Sequence, residues 1–97
     1  IKNNKQNMTK TEKRQDKAIR IALTQAGEQA KEQVHEFSWL THTADLKKLP
    51  QSLKVSCYCK KLPITAEQTQ LISSLIIKEL SAIDLAINPK AIAFLKE

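Results

Sequence analysis

The stretch "SLKVSCYCK", residues 52–60, alternates without a break. Leu53, Val55, Cys57 and Cys59 fall on one side of an extended chain, and Lys54, Ser56, Tyr58 and Lys60 on the other. A period of two marks a β-strand with one buried and one wet face, as in an antiparallel sheet. "KLP" at 61–63 ends it, because Pro63 offers no N–H to an internal ladder. Upstream, "FSWLTHT" (37–43) is rich in β-branched and aromatic residues and reads as a partner strand. In a regular strand Phe37, Trp39 and Thr41 share a side, and the two aromatics assign that side to the core; His42 then points away. "ADLKKLPQ" (44–51) connects the strands, with Asp45 and Pro50 as turn residues and Lys47 and Lys48 near the tip.

Helical patterns flank this pair. Thr9-x-x-Glu12 is a capping-box signature: the hydroxyl is placed for the Glu12 amide and the carboxylate reaches back. Ile19, Leu23, Ala26, Ala30, Val34 and Phe37 then recur at steps of three or four, which predicts a helix from about Lys10 to Glu36. Gly27 lies mid-helix, where glycine costs up to about 1 kcal/mol relative to alanine. Thr65-x-x-Gln68 repeats the capping logic and opens a second helix from Ala66 to about Ala82, with an apolar face that includes Leu71, Ile72, Leu75, Ile76 and Leu80. Beyond it Ile83, Leu85 and Ile87 alternate like a strand, while Asn88-Pro89 resembles a helix start. A third strand is expected between Leu85 and Leu95. The expected fold is α+β: a two-layer α-β-β-α arrangement with a third strand, two helices packed on one face of a small antiparallel sheet.

Among 97 residues, 16 are Lys or Arg and 10 are Asp or Glu, giving a net charge of +6. The excess is local. Residues 1–20 carry seven basic groups (Lys2, Lys5, Lys10, Lys13, Arg14, Lys17 and Arg20) against Glu12 and Asp16, so the rest of the chain is nearly neutral. Residues 1–8 are polar and aperiodic and read as a mobile basic arm ahead of a single α+β domain over 9–97; Met8 reads more like a natural start than Ile1. At about 100° per residue the basic groups of the first helix centre roughly 145° from its apolar stripe. With Lys54, Tyr58, Lys60 and Lys61 from the wet side of the second strand, Lys10, Lys13, Arg14, Lys17 and Arg20 form a candidate nucleic-acid surface, with Tyr58 available for stacking. A solvated, solubilising face is the plainer reading of the same charges. No apolar run approaches the ~20 residues of a membrane span, no secretory leader is visible, and two cysteines do not make a disulfide framework, so the expected compartment is the cytoplasm.

Cys57-x-Cys59 is the one pair that resembles chemistry. Two residues apart on a strand puts the Cα atoms ~6.6–6.8 Å apart, the outer limit for a disulfide. Zinc needs four ligands, the spacing is not that of structural zinc sites, and His35 and His42 are both expected to point elsewhere. The two thiols read as small hydrophobes filling a core. No nucleophile elbow or metalloprotease helix occurs, and one glycine cannot build a phosphate-cradling loop. No catalytic residue, metal ligand or cofactor site is therefore assigned. The functional expectation is a non-enzymatic binding or regulatory protein contacting nucleic acid through the arm and first helix. The alternatives are a self-associating or adaptor module that uses a sheet edge, and a small basic ribonuclease drawing on His42 or His35.

"MTKTEKRQDKAIRIALTQ" (8–25), "WLTH" (39–42) and "PQSLKVSC" (50–57) resemble segments of a family of small bacterial proteins of uncharacterised function. These open with a lysine-rich start, continue with an "ALT" helix, then "WLTH" and a "P-x-SLKVVC"-like strand. Some members carry a Fis-type transcriptional regulator label, which implies a C-terminal helix-turn-helix where the present pattern reads as strands. The resemblance implies no catalytic residue.

Overall fold

The computed structural model describes residues 9–97; the arm read over 1–8 lies outside the described residues. The chain forms α1 (Lys10–Gln33), β1 (Phe37–Thr43), β2 (Lys54–Cys59), α2 (Ala66–Ser81) and β3 (Ile92–Lys96), with 3₁₀ turns at Leu46–Lys48 and Pro89–Ala91. Both capping boxes form. The Glu12 amide donates to the Thr9 hydroxyl at 3.1 Å and the Thr9 amide to Glu12 Oε1 at 3.0 Å. Thr65 and Gln68 repeat the exchange at the head of α2. The first helix ends three residues short of the expected Glu36, because Val34 turns to extended geometry while its amide still bonds the Ala30 carbonyl. Its side chain stays in the core.

The strand order is β1-β2-β3, with β1 antiparallel and β3 parallel to β2. The expectation of a wholly antiparallel sheet is thus corrected to a mixed one. The physical reason is α2: a helix between two strands of one sheet carries the chain back to the end where it started, so the next strand runs parallel. Asn88-Pro89, read as a helix start, opens only one 3₁₀ turn, with the Lys90 amide donating to the Asn88 side chain at 2.9 Å before β3 begins.

Both helices cover one face of the sheet. Ile19, Leu23 and Ala26 from α1, Ile72, Ile76 and Leu80 from α2, and Val55 and Cys57 from β2 join one buried cluster. Gln29 donates to Glu79 at 3.0 Å, which ties α1 to α2 along one flank. The other flank of α1 borders β1.

β1 departs from the expected parity. Phe37 pairs with Cys59 and Trp39 with Tyr58, so two residues of β1 oppose one step of β2, and Ser38 is the extra residue of a β-bulge. A bulge shifts the alternation by one. Phe37 is buried, but after Ser38 it is Leu40 and His42 that turn inward and Trp39 and Thr41 that turn out. The placement of Trp39 in the core is therefore corrected: its side chain is 46% exposed. His42, expected to face away, is half-buried on the helix side.

Candidate nucleic-acid interface

Lys10, Lys13, Arg14, Lys17 and Arg20 are all exposed along α1. They do not form one surface. At about 100° per residue, Lys13, Lys17, Arg20, Thr24 and Lys31 fall within about 60° of one another, and Arg14 points well away from that row. Gln29 bonds α2 on the opposite flank, so the row lies on the flank beside β1. Lys31 belongs to it although the sequence reading omitted it, since a single basic residue in the last turn stands out only once β1 is placed. Asp16 pairs with Arg20 at 3.1 Å, one turn apart. The turn Leu46–Lys48, bearing exposed Lys47 and Lys48, also packs against α1.

Between this flank and β1 runs a groove of about 440 Å³. Arg20, Thr24, Glu28 and Lys31 line it from the helix, and Trp39, Leu40, Thr41 and His42 from the strand. Leu23, Gly27 and Phe37 complete its walls. Burial holds the His42 imidazole below its ordinary value; the Asp16 carboxylate opposes that shift and the Arg20 guanidinium adds to it. The strand side therefore presents a neutral ring at neutral pH, and the cations of the groove are Arg20 and Lys31. Among the described residues β1 is an edge strand, and no strand pairs with its outer side along this opening.

The second half of the expected site lies elsewhere. Lys54 and Tyr58 stand on the sheet face opposite the helices, where Thr43 pairs with Lys54, and Trp39, Tyr58 and Leu95 form one row across all three strands. Trp39 and Tyr58 stack with centroids 4.1 Å apart and planes 12° apart. Lys60 and Lys61 sit past the strand end beside His35 and Glu36. Of the nine residues expected to act together, Lys13, Lys17 and Arg20 share a flank, Lys10 and Arg14 lie beyond Lys17 toward the outward side of α1, Lys54 and Tyr58 share the opposite layer, and Lys60 and Lys61 hold an end. Trp39 connects the first two groups, because it lines the groove and stacks on Tyr58. The signal that could have found it is the apolar series Leu40, Ala44 and Leu46, all packed on the core and all of the parity opposite to Trp39.

Cys57 and Cys59 are fully buried and unpaired to one another. Burial, with the neighbouring Cys59, pushes the Cys57 thiol up to about 12. Burial and the Glu36 charge also raise Cys59. Thiols held protonated in this way are poor nucleophiles and poor metal ligands at neutral pH. Among the described residues no group of three or more His, Cys, Asp or Glu side chains is placed to hold a metal ion, and no helix is long and apolar enough to cross a membrane.

Comparison with protein-family models, with curated proteins and with solved structures returned no match to this chain.

Proposed function

We propose that this is a non-enzymatic binding or regulatory protein that contacts nucleic acid along the β1-facing flank of α1. The observation that carries the reading is the row Lys13, Lys17, Arg20 and Lys31, exposed on one helix flank and running beside a groove with an aromatic wall. Cations in a row neutralise successive phosphates, and an adjoining aromatic ring supplies an apolar contact that ions cannot. Such a role suits a cytoplasmic protein whose cysteines stay reduced.

The test is binding as a function of salt. Each neutralised phosphate contributes about 0.7–0.9 to the slope of log K against log salt. Replacing Lys13, Lys17 and Arg20 together by glutamine lowers that slope by roughly two to three while the fold persists, since none of the three is buried. Absence of binding at low salt, where attraction is least screened, rejects the reading.

One observation favours a second reading. Among the described residues, β1 offers a seven-residue edge that no strand covers and that contains neither lysine nor proline, the usual blocks to strand addition. An adaptor or self-associating module would pair a partner strand there. Thr41→Pro would abolish that association, whereas the glutamine triple variant would leave it intact.

A further inference from the structure

We infer that the groove between α1 and β1 takes an unpaired base of a single strand, stacked on Trp39, so that the protein selects single-stranded over duplex nucleic acid. This rests on the nucleic-acid reading and narrows its substrate class.

Three observations converge. One face of Trp39 is covered by Tyr58, its partner on the next strand. With Tyr58 on the β2 side, the other face looks toward the free edge of β1, where the groove opens. The ring is thus held upright by a neighbour and left half-exposed at 46%, an arrangement that a buried core aromatic does not need. A volume of about 440 Å³ lies in the range of small-molecule pockets, large enough for a nucleoside and too small for a duplex.

The charges fit a strand threading past that ring. Arg20 and Lys31 line the groove eleven residues apart, about 16 Å along the helix axis, so one cation stands toward each end. Lys13 and Lys17 extend the row beyond Arg20. Glu28 is the acidic lining residue, and it offers an acceptor to a base N–H. The Thr41 hydroxyl and the outer backbone edge of β1, which no strand covers among the described residues, add donors and acceptors at the same level.

Gly27 supplies the third observation. A Cβ built there meets only the Leu40 side chain, at 3.7 and 3.8 Å, which is ordinary contact. Its φ is not positive either. Neither close approach nor backbone geometry calls for glycine in the middle of this helix, and its one consequence at this position is a wall without a side chain in the groove.

Base stacking requires an exposed base face, which a duplex hides. The experiment titrates the full chain, at low salt, with an oligothymidylate strand, an oligouridylate strand and a DNA duplex of equal length. It follows both affinity and the fluorescence of Trp39, the only tryptophan. Tighter binding of the single strands with quenching of Trp39 is expected. Trp39→Ala should weaken single-strand binding by roughly 5- to 150-fold and leave duplex binding unchanged, whereas Trp39→Phe retains most of the affinity. Gly27→Gln, which fills the groove from a half-buried helix position where an added Cβ meets Leu40 only at ordinary contact distance, should weaken single-strand binding while the chain still melts cooperatively. Equal or tighter duplex binding, an unquenched Trp39, or unchanged single-strand affinity in Trp39→Ala overturns the inference and leaves the phosphate contacts of α1 standing. No binding of any of the three probes removes the nucleic-acid reading, and this inference with it.

Discussion

β1 and β2 share one antiparallel ladder and have opposite characters. β2 is bonded on both sides, and its inward residues Val55, Cys57 and Cys59 are at most 1% exposed. Among the described residues β1 is bonded on one side; it carries an extra residue at Ser38 and leaves Trp39 half in solvent. The central strand is where side chains are removed from water, and the burial of apolar area is what stabilises the domain. The edge strand has surface to spare. A ligand competes for groups that the fold has not already used, so stability concentrates in β2 and the helices, and binding capacity concentrates where β1 meets the open flank of α1.

That contrast predicts unequal responses to substitution. The largest belongs to Leu53, fully buried at the head of β2. Leu53→Ala should destabilise by about 2–5 kcal/mol, through lost transfer energy and the cavity left behind. Such a loss is a large share of the stability of a domain this size. Chemical denaturation measures it, and a change below about 1 kcal/mol would show that β2 does not dominate the core.

The next effect depends on pH. The Cys57 thiol is raised by burial from 9.0 to about 12, so between those values the folded chain holds a proton that the unfolded chain has lost. The contribution to stability is fully present below the unfolded value and disappears as pH rises through the folded one. Melting temperature should therefore fall more steeply above about pH 9 in the parent than in Cys57→Ala. Both thiols should also resist labelling at neutral pH until the chain is unfolded. Rapid stoichiometric labelling of the native protein would place the inner face of β2 within reach of solvent, and the two strands would no longer differ as described.

Trp39 tests the other side of the comparison. A buried tryptophan cut to alanine costs about 3–5 kcal/mol, but half of this one is already wet. The loss is chiefly its stack on Tyr58, and Trp39→Ala should cost about 1 kcal/mol. A loss of the larger size would restore the regular parity that the bulge overturns.

How far such contrasts can be read from a chain is visible in the same two strands. β2 was legible because nothing interrupts its alternation, and the capping boxes were legible because each is a local hydrogen-bond exchange closed within four residues. The bulge at Ser38 was not, because Phe37-Ser38-Trp39 is a sound period-two pattern whose two aromatics outweigh the later Leu40, Ala44 and Leu46. Only pairing with Tyr58 and Cys59 decides it. The direction of β3 was within reach, since a strand, a sixteen-residue helix and another strand form a βαβ order that makes the last strand parallel. The basic stripe was legible as a stripe. Its division between a flank beside β1 and the outward side of α1 depends on where α2 packs, and no local pattern contains that.

The smallest effect is at Gly27, and it has the opposite sign. Alanine at a helix interior is favoured over glycine by about 0.5–1 kcal/mol, because glycine surrenders more backbone freedom on folding. The gain is realised only where the added methyl group fits. Here it meets the Leu40 side chain at 3.7 Å, close enough for attraction and too far for a clash. Gly27→Ala should therefore raise stability by about 0.5–1 kcal/mol, read as a higher denaturation midpoint with an unchanged slope. A loss would mean that α1 and β1 approach more closely than their contacts show and that the space between them is not open. A gain shows that the fold does not need the glycine and that α1 carries it at a cost, as a tolerated defect or as the open wall of the groove it lines.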